Sequence, residues 1–535
     1  MKKTALISVY QKAGIVDFAK ELIALGWDII ASGGTAKALA QADIPVRDVA
    51  DLAGGGAILG HRVVTLSREI HAALLARNTE EDNKELEALG IPRIDLVCVD
   101  LYPLSAEIKK PDSTANSVIE MTDIGGPTML RSAAKGRRIV ICDPMDRGRA
   151  IAWLKAGEPD KEKFVDELAA KAEGAVAEYA LISARYRSNG KIDGIIGHEI
   201  ASCKYGENAW QAPAALYGFD SDDPLSLDKF KLVEGTEPSY NNYCDIDRLL
   251  QTMIHLAAAF ELNRGSKPMI AIGAKHGNAC GASFGFEKNE QVLRDMLDGD
   301  LDAIFGGLVM INFPIGEKEA EILMTYKMEG CQRRLLDGII APAVSEKAIE
   351  MLKRKNDKCR ILTNPALGNV RMHSLDKTLR FRQVRGGFLR QPNYTYVIDL
   401  NDPELKKYGN ASVIEEETLL LAWAVGCTST SNTITIGIDQ RLIANAVGQQ
   451  SRVAACRLAR MRAEAAGHDT KNAVAYSDSF FPFTDGPKAL KEMGVRLIYA
   501  SSGSIKDQEI IDFCQNNGIT LYTIPDKKGR GFYGH

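Results

Sequence analysis

The 535-residue sequence has almost no net charge: 66 Lys and Arg stand against 70 Asp and Glu, leaving −4. Without a long-range basic field, neither nucleic acid nor an anionic membrane is expected as a partner, and any anionic ligand must be held by local arrangements. No two of the ten cysteines form a Cys-x-x-Cys pair. That argues against a zinc knuckle or thioredoxin-like motif and points to a reduced, cytoplasmic setting. Long hydrophobic runs are missing too. The longest, Leu419 to Cys427, is about half of what crosses a bilayer. Met1-Lys2-Lys3 starts as a signal peptide would, but Gln11 and Lys12 break the apolar run too early. Low-complexity tracts and short-period repeats are also absent. What remains is the 45% hydrophobic, 25% charged balance of a globular protein. At about 150 residues per domain it predicts three or four folding units.

The apolar pattern alternates between two periods. Short strands are expected at 4–9, Trp27–Ala31, Pro45–Val49, Ile94–Val99 and Arg138–Cys142. Helices are expected at Gly14–Leu25, up to Ala40, and over about 160–187. Strands separated by helices imply crossovers and a parallel α/β sheet. The Gly-rich stretch around 190–206 predicts a domain boundary near 198, giving units 1–198 and 199–535. Further strands are expected at Met269–Ala274, Leu442–Val447, Arg496–Ala500 and Thr520–Ile524, with a helix at Glu317–Glu329. The length of this second part predicts two subdomains dividing near 370–410.

Three clusters suggest chemistry. Ser32-Gly33-Gly34-Thr35 lies between a strand and a helix, where glycines admit a close ligand and free N–H groups attract phosphate. Thr35 as an ordinary N-cap is the plainer reading. Asp123-Ile124-Gly125-Gly126-Pro127-Thr128 opens another helix, on which Arg131 and Lys135 share a face. A carboxylate, a glycine turn and two cations suggest an anion site with acid–base potential. Lys275-His276 follows an apolar strand on a glycine-containing loop, where α/β sheets place ligands. His is a natural general base near neutral pH, and an ammonium beside it stabilises developing negative charge. Cys280 near His276 does not make a zinc deaminase, because position 278 is Asn and the second cysteine is missing. No catalytic metal is expected.

Taken together, and in this order along the chain, the clusters resemble the bifunctional family that combines AICAR formyltransferase with IMP cyclohydrolase. The likeness rests on Ser-Gly-Gly-Thr, Asp-Ile-Gly-Gly-Pro-Thr with Arg-Ser-Ala-Ala-Lys, Lys-Tyr-Gly-Glu-Asn, Ser-Tyr-Asn-Asn, Lys-His-x-Asn, Phe-Gly-Gly, Gly-Gln-Gln-Ser-Arg and Phe-Phe-Pro-Phe-x-Asp-Gly. It implies a methylglyoxal-synthase-like cyclohydrolase domain over 1–198 and a formyltransferase of two cytidine-deaminase-like subdomains over 199–535. It also implies a homodimer with formyltransferase sites at the subunit interface, and 10-formyltetrahydrofolate as cosubstrate with a ribotide as acceptor. A structural monovalent cation is left open.

By the same resemblance, Lys275, His276 and Asn432 carry formyl transfer to the 5-amino group of AICAR. Lys204 and Tyr205, with Ser239, Tyr240 and Asn241, line the nucleotide and folate pockets. Gly307, Asp337, Phe480 and Asp485 match further pocket positions, and Lys204 and Arg452 are candidate phosphate partners. In the first domain Tyr102, Asp123 and Lys135 match catalytic positions. Ser32, Gly33, Gly34, Thr35, Arg62 and Thr65 are available for phosphate, and Lys12 ends the opening pattern.

The chain departs from the family at Lys204, Trp210, Ala279, Cys427 and Asn445-Ala446-Val447 in the second part. The first part departs more sharply, because Val64 stands where the family carries a lysine used in ring closure, followed by Ser67-Arg68 for His-Pro. The expectation is therefore formyl transfer with an impaired cyclohydrolase. Full bifunctionality is one alternative. Action on a different amino-heterocycle ribotide, or mere binding of one, is the other.

Overall fold

The computed structural model describes residues 2–60, 62–219 and 221–534. The chain separates into two compact units, Met1–Ile196 and Gly197–His535. Among the described residues, no helix is long and apolar enough to cross a membrane.

The first unit is built on five parallel strands: β1 (Thr4–Ser8), β2 (Asp28–Ala31), β3 (Arg47–Asp48), β4 (Leu96–Val99) and β5 (Ile139–Ile141). Their order is β3-β2-β1-β4-β5. The centre of β1 (Ala5, Leu6, Ile7) and all of β4 are apolar and buried because helices cover both faces of the sheet. The helix Ile15–Ala24 shows how a face is covered: Ile15, Phe18, Ala19 and Leu22 recur at helical spacing and are buried. The strand expected over Pro45–Val49 shrinks to Arg47–Asp48, because Val49 already begins a short helix capped by the Asp48 carboxylate. The sheet order reverses direction between β1 and β4. Parallel sheets open a crevice at such a point, beyond the carboxyl ends of the strands.

The second unit begins with a hairpin, β6 (His198–Cys203) and β7 (Ala214–Gly218). Its main sheet takes β8 (Lys231–Glu234), β9 (Met269–Lys275), β10 (Asn278–Gly285), β11 (Leu308–Ile311), β12 (Gly338–Ala341) and β13 (Arg360–Thr363). After an exposed hairpin, β14 (Leu379–Val384) and β15 (Gly387–Pro392), come β16 (Lys406–Tyr408), β17 (Ile434–Ile438), β18 (Arg441–Ala446), β19 (Val474–Ser477), β20 (Leu497–Ser502) and β21 (Thr520–Pro525). Twelve of these form one sheet, ordered β16-β21-β20-β19-β17-β18-β10-β9-β11-β12-β13-β8.

Read outward from the central β10–β18 pair, the two halves repeat strand by strand. Each has an antiparallel hairpin, an antiparallel neighbour, two parallel pairings and an antiparallel edge. This repeat is too long to show as a short sequence period. Equivalent helices, Tyr240–Arg264 and Val413–Cys427, pack together in the core. The longest apolar run, Leu419–Cys427, is the fully buried end of the second of these helices, as expected for a helix apolar on all sides. The helix expected at Glu317–Glu329 stops at Thr325, where the buried Arg334 guanidinium donates to the carbonyls of Leu323 and Tyr326.

Candidate functional sites

A cleft of about 740 Å³ opens in the first unit at the β1/β4 reversal. Lys12 reaches it from the loop after β1, Ser32, Gly34 and Thr35 from the start of the helix after β2, and Tyr102 from the loop after β4. Arg62, Val64, Thr65 and Asp123 complete the arrangement. Eight of the catalytic and binding candidates from sequence, with Val64 beside them, thus meet in one cleft.

Glycine shapes its floor. Gly126 N–H donates to Asp123 Oδ1 at 2.8 Å. A methyl group on Gly126 would lie 2.4 Å from Asp123 Oδ2 and 2.8 Å from Leu101 Cδ2. Likewise Gly125 leaves room for Thr65, whose Oγ1 would lie 2.5 Å from a Cβ. Gly126→Ala is therefore expected to displace the Asp123 carboxylate and to cost about 1–3 kcal/mol of stability. Urea unfolding reads this directly; a loss under about 0.5 kcal/mol, at most half of that expected, would show that the carboxylate shifts freely.

Burial raises the Asp123 pKa, against opposing hydrogen bonds from the backbone of Gly126 and Tyr102. Burial likewise raises the Tyr102 hydroxyl, helped by the nearby Asp123 charge. A raised carboxyl beside a phenol is a pair able to hold and pass a proton. Tyr179, absent from the sequence-based candidates, fixes this pair. Its hydroxyl accepts from Asp123 N–H at 2.7 Å and donates to Met121 O at 3.1 Å. It lies in the long helix Lys161–Arg187, far from any motif.

Several expectations change in this cleft. Thr35 is buried and is not the N-cap; that position is Ser32. Thr35 Oγ1 instead bonds both the N–H and the carbonyl of Val9, at 3.1 Å each, tying the helix to β1. Gly33 turns the backbone at φ +31° but does not line the cleft. Lys135 does not line it either. It is exposed in the last turn of the helix Gly125–Lys135, ten residues and about 15 Å along the axis from the glycine turn. Arg131 is exposed as well, so the two cations do not join Asp123. Arg62 pairs with Glu120 at the rim. Val64 faces the cleft without a donor, while Ser67 caps the helix Arg68–Leu75 through Ile70 N–H at 3.3 Å.

In the second unit, Lys275 and His276 close the β9–β10 hairpin. His276 (φ +52°) and Gly277 (φ +70°) both have left-handed backbone, the two-residue turn that matches strand twist. Gly277 accepts this freely; His276 does so at a cost of roughly 1–2 kcal/mol. Gly277 N–H donates to Asp245 Oδ1 at 2.5 Å, and Lys275 Nζ donates to Phe305 O at 2.8 Å. Burial raises the Asp245 pKa, while His276 acts on it as an opposing positive neighbour. Asp245 therefore joins the Lys–His turn, although no local pattern announced it.

Gly307 lies beside that turn, where a Cβ would come within 2.7 Å of Ala274 O. Its carbonyl accepts from Asp337 N–H at 2.9 Å. Asn432, just before β17, is at the same end of the strands; its side-chain amide donates to Gln449 O at 2.8 Å. Ser239 caps the helix Tyr240–Arg264 in a reciprocal box with Asn242. Asn241 reaches Glu207 O at 3.3 Å, in the loop that carries Lys204 and Tyr205. The Lys204 ammonium lies 5.9 Å from the Tyr205 ring. Tyr240 is half-buried, and burial raises its hydroxyl pKa. Phe480 is half-buried under the Arg530 guanidinium, Phe481 belongs to the core, and Asp485 is exposed at the start of a helix.

Arg452 differs from its expected role as a phosphate partner. It pairs with fully buried Asp478, and burial pushes its pKa down to about 10. Its charge is met inside the fold. Two other guanidinium groups, from Arg248 and Arg380, flank the Tyr533 ring at 4.4 and 3.6 Å. The Tyr533 hydroxyl bonds Asp247 at 3.2 Å, and its N–H donates to Ser429 O, close to Asn432. Burial pushes the Cys280 thiol up to about 12, and no group of three His, Cys, Asp or Glu that could hold a metal ion occurs among the described residues.

Two family models match the chain, and the border between them falls inside the first unit. The AICARFT/IMPCHase bienzyme family matches residues 133–462, and the MGS-like domain matches residues 14–128. Similar chains include the bifunctional purine biosynthesis proteins PurH of Anoxybacillus flavithermus (35% identical), Listeria welshimeri (36%) and Aquifex aeolicus (34%). Each alignment covers 97% of this chain and 98% of the relative. A crystal structure of ForH aligns with 34% of this chain and 98% of its own, at 36% identity and a TM-score of 0.31. With a family match over more than half its length and relatives above 30% identity end to end, this chain belongs to the AICARFT/IMPCHase bienzyme family of enzymes.

Proposed function

We propose that the second unit transfers a formyl group from 10-formyltetrahydrofolate to the 5-amino group of AICAR. The observation that carries this reading is the Lys275-His276 turn, braced by Asp245 and Phe305 O, with Asn432 at the same end of the strands. An aromatic amine is a weak nucleophile, so a base must take its proton as it attacks. His276 does so through a ring nitrogen, and the Asp245 carboxylate stabilises the imidazolium. The Lys275 ammonium balances the negative charge that develops on the transferred oxygen. Asn432 keeps one amide hydrogen and its carbonyl oxygen for orienting the acceptor. The amine nitrogen bonds the formyl carbon of the folate, the bond from that carbon to folate N10 breaks, and N10 departs carrying the proton that His276 took from the amine. Phe480 and Asp485 offer the flat apolar surface and acceptor that a heteroaromatic ring with N–H edges fits. Arg248 and Arg380 supply positive charge for the ribotide phosphate.

The first unit is read as a cyclohydrolase-like ribotide site whose ring closure is impaired. Lys12, Ser32 and Gly34 hold the phosphate, and Asp123 and Tyr102 handle protons. The valine at position 64 can neither donate a proton nor hold an oxyanion. The test is to assay both steps on the wild-type protein, formyl transfer from AICAR and ring closure from formyl-AICAR. Formyl transfer is expected with slow closure. Val64→Lys is expected to speed closure by about two orders of magnitude, the range for one acid–base group. Rapid wild-type closure, lost in Asp123→Ala, would instead make the chain fully bifunctional.

The protein is further read as a cytoplasmic homodimer. The hairpin β14–β15 supports the dimer: Leu379, Val384, Phe388 and Leu389 are exposed on it, an apolar arm suited to a partner subunit. Ten free cysteines suit a reducing compartment. Sedimentation equilibrium of the wild type and of Phe388→Ser/Leu389→Ser tests the dimer; an unchanged mass in the double variant would remove the hairpin from the interface.

A further inference from the structure

A second cavity in the second unit, of about 370 Å³, is not used by either proposed reaction. Its floor is apolar: Met324, Leu336, Ile339, Leu352 and the buried Cys359. Its rim is cationic, with six Lys and Arg side chains and no carboxylate among the described lining residues. Two of the six are neutralised from outside, since Lys353 pairs with Glu234 and Glu350, and Arg354 with Asp337. The other four have no ion-pair partner among the described residues. Arg334 is buried, its guanidinium on the carbonyls of Leu323 and Tyr326 with the Asp298 charge acting on it. Arg333 donates only to a carbonyl oxygen and a thioether, and the ammonium groups of Lys355 and Lys358 have no bonded partner among the described residues.

Three uncompensated cations, from Arg333, Lys355 and Lys358, stand exposed at one mouth and repel one another. Surface chains usually interleave acidic residues to prevent this. A monocarboxylate would neutralise only one of them, whereas a phosphate carries close to two charges and three acceptor oxygens. The apolar floor adds room for a ring, and the volume lies within the range of small-molecule pockets. We propose that this cavity binds an organic phosphate, its apolar ring on Leu336, Ile339 and Leu352 and its phosphate on Arg333, Lys355 and Lys358. Arg354 connects the cavity to the sheet edge, because its Nη1 donates to Leu336 O at 2.7 Å and Asp337 Oδ1 at 3.0 Å. The proposal does not depend on formyl transfer.

The test uses 1-naphthyl phosphate on the full-length protein and reads acetylation of individual lysines by mass spectrometry. Lys355 and Lys358 are expected to be protected at least fivefold, while Lys347, exposed and paired with Glu317, is unaffected. Protection should vanish in Arg333→Gln, with an unchanged melting temperature showing that this variant is folded. Inorganic phosphate at the same concentration should protect less than twofold, since it makes no use of the floor. Absence of protection by 1-naphthyl phosphate would overturn the proposal. So would equal protection by inorganic phosphate, which indicates a simple anion patch, or full protection retained in Arg333→Gln.

Discussion

Replacing His276 by alanine is expected to lower the formyl-transfer rate by roughly two to four orders of magnitude, the usual contribution of a positioned base. The substitution must be separated from a backbone effect. His276 has left-handed backbone (φ +52°), so alanine keeps the strain while losing the imidazole. Asn tolerates this conformation better than most residues and has no basic nitrogen. His276→Asn should therefore fold at least as well as the wild type and be as inactive as His276→Ala. If either variant keeps more than a tenth of the activity, His276 is not the base. Asp245→Asn gives the companion measurement. With a positioning carboxylate removed, the acid limb of the pH–rate profile should move to lower pH, because the imidazolium loses its stabilising neighbour. An unshifted limb would leave Asp245 as a hairpin anchor only.

Asp478→Ala is expected to destabilise the second unit by about 3–5 kcal/mol, because it strands the Arg452 guanidinium without a counter-charge. The Asp478 side chain is fully buried and that of Arg452 is 10% exposed, so water cannot replace the lost partner. Arg452→Met combined with Asp478→Ala should recover most of the loss, since the stranded charge is then absent. Denaturant unfolding of the two variants decides the matter. A loss below 1 kcal/mol, under a third of the expected cost, would mean that Arg452 swings into solvent. That outcome would return it to the phosphate partners, from which the pairing with Asp478 removes it.

How far each feature could be read depended on whether its cause was local. The Lys–His turn was legible because hairpin chemistry is local: an apolar strand, two turn residues, an apolar strand. Asp245 was not, since it reaches Gly277 from a helix more than thirty residues earlier. The glycine turn at Gly125-Gly126 was legible for the same local reason, whereas Tyr179 comes from the far end of the unit. Thr35 looked like a cap because cap composition is local, yet tertiary contact with Val9 took over both its donor and its acceptor.

The sequence by itself determined the α/β class, the family, and which chemical groups are present or missing at each motif, including Val64. It also ruled out a broad basic surface, because charge balance is a property of composition. Tertiary structure alone decided which of those groups meet. It brought eight candidates into one cleft and left Lys135 on the far end of its helix, since a helix rises about 1.5 Å per residue whatever its motif. It neutralised Arg452 and, among the described residues, left three cations unpaired at the mouth of an apolar cavity. Charge pairing depends on distances between segments remote in the chain, and no local pattern encodes those distances.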